Sequence, residues 1–470
     1  MKIIILWFLL LFHFCSLYAQ DCNCAVNFSY LTNRITKNYV GFRDKVTKKN
    51  QHQFQKFTDS LQTIANKSNA YQCLNLGREW LTFFNDKHIS FGIDFDKLNP
   101  DSTRKFFSLE QRTTWTESSF KSYLTKNKEH LDDIEGIWTS GIYEVGIIKD
   151  TKPNQFVGFI LKADSIRWMP QQIKFLLIKK DKQYRTVLFS GGDHSEQHPT
   201  LSKKGDVLNF GIFGKWVKGT RPKPEALKPV SDDGGSPSFI TFDNKTALIK
   251  LPSFNFKYKS QIDSLIVKNK TQLNHTRHLI IDVRNNSGGS TKCFEKLLPY
   301  LYTNPIKVDG GVVLATEENI RDCYEVDYPD LNEESKIEMK NDVKKLKAHQ
   351  GEFYQLYNDT TITYLNILKN PSRISILINE NTASSAELFI LRAEQSKKVI
   401  LFGRNTSGAV DYGETVFTKL PCKFYSLYYP ASKSLHSIKH PLDNIGIEPR
   451  VKIPDEETDW VEFVRTYIKE

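Results

Sequence analysis

The sequence predicts a multidomain α/β (α+β) protein. Three changes of hydrophobic period along the chain predict it. Residues 25–85 repeat apolar side chains at helical spacing, residues 134–217 break into short strands parted by turn residues, and strands alternate with helices from residue 239 onward. A chain of 470 residues has room for two or three cores, and 39% hydrophobic with 25% charged residues fits a soluble globular protein.

The chain opens on Met1-Lys2 and an apolar run from Ile3 to Phe12, followed by Ser16-Leu-Tyr-Ala19. A basic start, a short apolar stretch and a small residue before Gln20 read as a secretory signal peptide, residues 1–19, cut after Ala19. The run is too short to span a bilayer, and no later run is apolar enough, so no integral membrane segment is expected after signal removal. Export, to the periplasm or beyond the cell, implies an oxidising compartment. Cleavage leaves six cysteines, Cys22, Cys24, Cys73, Cys293, Cys323 and Cys422, an even number that suits disulfides. A bond from Cys22 or Cys24 to Cys73 is expected because both flank one helical region.

Residues 20–98 read as an N-terminal helical unit. Val26, Tyr30, Leu31, Ile35 and Tyr39, then Phe54, Phe57, Leu61 and Ile64, then Cys73, Leu76, Trp80, Phe83 and Phe84 recur at helical spacing. His88 follows, where the last helix stops and an extended segment starts. Residues 99–222 hold a polar connector and then six short strands, an antiparallel barrel or sandwich. Residues 223–237, rich in Pro and Gly, read as a linker. Residues 238–470 form an α/β core: the apolar run at 279–283 is a strand covered on both faces, residues 307–365 carry a charged helical insertion, and 374–378 and 399–402 are further strands.

Composition excludes some functions. The formal charge of +11 is scattered rather than gathered in a basic stripe, so no nucleic-acid partner is expected. Cys22-Asn-Cys24 lacks a second close pair, and residues 193–198 (DHSEQH) read as a solvated loop, so no metal or other cofactor is expected. The chemistry points instead to Ser384. It stands at the first turn of a helix that follows the 374–378 strand, where N–H groups have no intrahelical partner and the helix dipole favours negative charge. A serine there can attack a carbonyl while neighbouring N–H groups stabilise the oxyanion; Ser384 or Ser385 can equally be a plain N-cap.

Four motifs in order bear on that choice. IIDVRNNSGG at 280–289, NTASSAE at 381–387, GRNTSG at 403–408 and GIEP at 446–449 together resemble the C-terminal processing peptidase (tail-specific protease) family. The resemblance implies a ClpP/crotonase-like protease core. It also implies Ser384 as nucleophile and an oxyanion hole from the N–H groups of Ser385 and Gly288. Many members use a lysine base inside Thr-Phe-Gly-Lys-Gly; here Ala409 stands in that place. The histidine-dependent, tricorn-core-like branch is the nearer match. DKH at 86–88 is similar to its DxH, and Asp443 precedes Asn444-Ile-Gly446 where that branch has a glutamate. The resemblance therefore implies His88 as general base and Asp443 as its orienter, with Asp86 an alternative. Lys87 replaces that branch's serine. Residues 134–217 show no PDZ signature, so the expected substrate is an unfolded or extended peptide rather than a chain end. The alternatives are an inactive ligand- or peptide-binding relative of the same fold, an acyl esterase, and an adhesin.

Overall fold

The computed structural model describes residues 22–93, 99–110, 112–180, 183–219, 235–326, 333–454 and 456–467. The expected signal peptide and all but the last three residues of the expected linker lie outside them. Helices Cys24–Asn38, Gln51–Ala65 and Ala70–Leu81 pack together, followed by strand β1 (Ser90–Ile93). Asn69 opens the third helix with a capping box, its side chain taking the Gln72 N–H. Val26 and Ile64 prove exposed, whereas Phe28, Leu31, Ile35 and Trp80 are buried.

Next come helices Pro100–Phe107 and Glu117–Lys126 and nine strands: β2 (Gly136–Ser140), β3 (Tyr143–Lys149), β4 (Gln155–Lys162), β5 (Ile173–Lys180), β6 (Gln183–Phe189), β7 (Glu196–Gln197), β8 (Ser202–Lys204), β9 (Val207–Asn209) and β10 (Lys215–Lys218). They form one antiparallel sheet ordered β7-β6-β5-β4-β3-β2-β10-β9-β8. It curls until a bridge from Leu201, just before β8, to Tyr184 in β6 brings its ends together. Trp138, Trp168, Phe175 and Trp216 fill the inside.

The core adds β11 (Ser238–Thr241), β12 (Thr246–Lys250), β13 (His278–Asp282), β14 (Ile306–Val308), β15 (Gly311–Leu314), β16 (Phe353–Tyr357), β17 (Thr360–Ile362), β18 (Arg373–Ile378), β19 (Val399–Gly403), β20 (Tyr412–Lys419), β21 (Tyr425–Ser434) and β22 (Val451–Lys452). One sheet runs β11-β12-β13-β18-β19-β22, parallel from β12 onward. Its strands are covered on both faces, by Ile281, Ile376 and Phe389 on one side and by Ile280, Leu377, Phe402 and Trp460 on the other. The helix Ser385–Ala393 buries Ala386, Phe389, Ile390 and Ala393, while Leu388 and Leu391 are only partly buried.

A second sheet, β1-β21-β15-β16 with β20 on β21, joins chain regions far apart. The helical unit shares one apolar core with it: Phe28, Leu31 and Trp80 belong to the same cluster as Val416, Tyr425, Leu427 and Tyr429. Residues 307–365 do carry the charged helix Glu333–Ala348, yet they also supply β15 and β16 to this sheet. Cysteine pairs Cys22–Cys422 and Cys24–Cys73 stand at disulfide distance; Cys293 and Cys323 are free.

Candidate active site

Three neighbouring parallel strands, β13, β18 and β19, end on the same side of their sheet, where open α/β sheets place their ligand sites. The loops that follow are bonded to one another. Thr382 Oγ1 donates to the Val283 carbonyl (3.0 Å) and Ala383 N–H to the Asn286 carbonyl (2.9 Å). Ser407 N–H donates to the Thr382 carbonyl (2.8 Å).

Ser384 is the N-cap of the Ser385–Ala393 helix, at φ +55° and ψ −123°. That is a region L-residues avoid, and holding a side chain there costs on the order of 1–3 kcal/mol. Glu387 holds it. Fully buried one turn on, this carboxylate accepts the Ser384 N–H (3.0 Å), the Thr406 hydroxyl (2.5 Å) and the N–H groups of Gly408 and Ala409 (both 2.8 Å). The Ser384 turn and the third loop are thus one unit. Sequence reasoning missed Glu387, although its place three residues after an N-cap serine is the capping-box signature.

Gly288 stands against the serine. A Cβ there would lie 2.8 Å from the Ser384 Cβ, 2.8 Å from the Ala383 carbonyl oxygen and 2.9 Å from the Ser385 nitrogen, and its φ is +98°. Only glycine fits. The Gly288 N–H itself donates to Asn286 Oδ1 (2.9 Å), while Ser385 N–H lies in the helix's first turn without an intrahelical acceptor.

His88 reaches this region from the helical unit. Lys87 beside it sends its ammonium to the Ser407 carbonyl and hydroxyl (3.1 Å to the latter), and Asn444 Nδ2 donates to the Asn85 carbonyl (2.5 Å). The His88 turn therefore rests on the loop that is bonded to Thr382 and Glu387. Among the described residues no hydrogen bond joins the His88 ring to Ser384. The carboxylate beside the imidazole is Asp86, 3.6 Å from Nδ1, and it also accepts the His88 N–H (2.8 Å) and the Tyr39 hydroxyl (2.7 Å). Asp443, expected in that role, is taken by the Lys45 ammonium. The reason is local: a carboxylate two residues before His88 folds back onto the histidine's own N–H and so lies next to its ring. Electrostatics parts the two acids. Burial alone would raise Asp86, but the His88 ring and the Tyr39 hydroxyl outweigh it and hold Asp86 below the ordinary aspartate value. Burial raises Asp443, with Asp86 and Asp411 adding to it against the pull of Lys45.

The profile of Peptidase family S41 matches residues 245–453, a span containing β12 to β22 and all three loops. Over those residues the chain is similar to peptidase family S41. An uncharacterized protein of Chlamydia muridarum is 21% identical over 262 residues, 48% of this chain and 43% of that protein. The tail-specific protease of Haemophilus influenzae is 25% identical over 180 residues, 38% of this chain and 20% of that protein. The chain thus spans less than half the length of these curated relatives. The crystal structure of mature CPAF is similar with a TM-score of 0.48 at 14% identity, covering 92% of this chain and 93% of that one. The photosystem II D1 C-terminal processing protease gives a TM-score of 0.40 at 14% identity, covering 94% and 96%. Ala409, where the sequence resemblance places a lysine, spends its N–H on Glu387. No helix among the described residues is long and apolar enough to cross a membrane.

Proposed function

We propose that this chain is an exported serine peptidase that hydrolyses peptide bonds in extended polypeptides through an acyl-enzyme on Ser384. The observation that carries the reading is the strained Ser384 turn, clamped by Glu387 at the mouth of three parallel strands within an S41 core. His88 takes the Ser384 hydroxyl proton as the oxygen bonds to the carbonyl carbon, then delivers that proton to the departing amine; water repeats the sequence to free the acid. Asp86 faces the imidazolium as the ionised partner. Ser385 N–H supports the oxyanion, and the Gly288 turn completes the hole once substrate displaces its internal bond to Asn286. Catalytic hydrogen bonds commonly form only once substrate binds, so the His88–Ser384 bond is one that substrate would complete. Export is supported by the signal-like residues 1–19 and by two cysteine pairs at disulfide distance.

A fluorophosphonate probe tests the reading. Wild type takes one label, and Ser384→Ala and His88→Ala take none. Alanine at 409 and the unmade hydrogen bond between His88 and Ser384 favour a second reading, a non-hydrolytic peptide-binding relative. Wild type that stays unlabelled and leaves a peptide library intact would establish that one.

A further inference from the structure

Two charged stretches that the sequence singles out take no part in the reaction proposed above. Residues 193–198 are not the solvated loop expected of them. His194 is buried between Phe107 and Trp168, its Nδ1 on Glu110 (2.7 Å), and Asp193 takes Arg78 of the helix Ala70–Leu81 (2.5 Å). Those charges dock the curled sheet on the helical unit. Lys87 differs. It is exposed, and its ammonium donates to two neutral oxygens, the Ser407 carbonyl and the Ser407 hydroxyl (3.1 Å to the latter). Among the described residues no carboxylate pairs with it. Neutral acceptors satisfy its N–H groups and leave its charge uncompensated.

The place of that cation decides what it can meet. Ser407 gives its own N–H to the Thr382 carbonyl (2.8 Å), just ahead of Ser384. The next residue, Gly408, gives its N–H to Glu387 (2.8 Å), which also accepts the Ser384 N–H. Lys87 itself adjoins His88. Its side chain therefore joins the His88 turn to the Ser384 turn, the two sides that a peptide must meet to be cut. The acids of this region are already committed: Asp86 to His88 and Tyr39, Asp443 to Lys45, and Glu387 to four donors. A positive charge without a counter-charge stands where substrate arrives.

We propose that Lys87 is a specificity-determining residue: it selects peptides with an aspartate or glutamate close to the bond cut, whose carboxylate pairs with the ammonium. The proposal rests on the peptidase reading. An extended chain rises about 3.3 Å per residue, so the side chains nearest the cut pass the His88 turn within a lysine's reach. The pair forms at an exposed position, so its effect is modest and weakens with salt.

Matched peptides test it. A peptide that wild type cuts is taken from a mixed library, its cut is located by mass spectrometry, and it is remade with Glu or Gln at each residue flanking the cut in turn. At the preferred position kcat/KM for the Glu peptide exceeds that for the Gln peptide about fivefold at low salt, the upper range of an exposed ion pair. The preference shrinks as salt rises. Lys87→Gln, which can still donate to Ser407, abolishes it; Lys87→Arg keeps it; Lys87→Glu reverses it. A wild type indifferent to Glu at every position overturns the assignment. So does Lys87→Gln protein that loses rate equally on both peptides with the Glu preference intact, which would leave Lys87 only a tether for the His88 turn. Binding separates this proposal from the peptidase reading. Fluorescein-labelled unstructured peptides, alike but for a central Glu or Gln, are titrated with Ser384→Ala protein and read by anisotropy. The Glu peptide binds more tightly, and adding Lys87→Gln removes the difference. Equal binding of the two overturns the proposal. A wild type that cuts nothing and takes no fluorophosphonate, with the Lys87-dependent preference in binding retained, would remove the peptidase reading and leave the anionic subsite standing.

Discussion

Ser384 holds a backbone conformation that glycine adopts freely and serine does not. Relief of that strain has a measurable sign. Ser384→Gly should stabilise the fold by about 1 kcal/mol, read from the denaturant midpoint, whereas Ser384→Ala should not. A stability gain on removing a side chain separates a functional serine from an ordinary N-cap, whose loss costs about 1 kcal/mol. Asp86 gives a second test at this scale. Its folded-state value is depressed below the ordinary 3.8, so its contribution is present above that pH and lost as pH falls through the folded value. Asp86→Asn should therefore lower stability at neutral pH, and the gap to wild type should close in acid once the native carboxylate takes its proton.

At the scale of the element, Ser384, the proposed nucleophile, caps the helix Ser385–Ala393, and Glu387 binds that first turn to the 404–409 loop. The carboxylate has only acceptor oxygens for four donors. Glu387→Gln would turn an amide NH₂ toward at least one of them, at a cost of about 1–3 kcal/mol for the stranded donor. Since the donors include the Ser384 N–H, fluorophosphonate labelling should slow with the loss of stability, while the overall circular dichroism spectrum stays native-like. Strands β13, β18 and β19 were legible as short apolar runs because both faces of their sheet are covered, which leaves no alternation to confuse. The buried face of the Ser385–Ala393 helix was not. Over two and a half turns the spacing of Leu388, Phe389, Ile390 and Leu391 fits more than one face, and the neighbouring Phe254 and Phe294 choose Phe389.

Across the whole molecule, the N-terminal helices and the 412–434 strands form one core, and Cys22–Cys422 ties their ends. That pair spans 400 residues of chain against 49 for Cys24–Cys73. The loop-closure relation assigns the longer one about 6 kcal/mol and the shorter about 4. Cys22→Ser should thus lower the unfolding midpoint more than Cys24→Ser, measured by guanidinium titration under oxidising conditions, with the two converging in reductant. Both lesions act on the frame that carries His88 to the Ser384 side, so the longer loop should also cost more labelling.

The strands of the core, the serine at a helix start and the four ordered motifs were determined by sequence alone, because each is a local pattern of hydrophobic period or turn residues. The expectation that two distant segments serve one site was carried by the motifs, and the contacts that bring them together were decided by folding: Lys87 on Ser407, Asn444 on Asn85, and a core shared across nearly the full length. Tertiary structure also decided which carboxylate faces His88. Asp86 and Asp443 are equivalent as letters, and only the positions of Tyr39 and Lys45 in space make one the imidazole's neighbour and the other a lysine's.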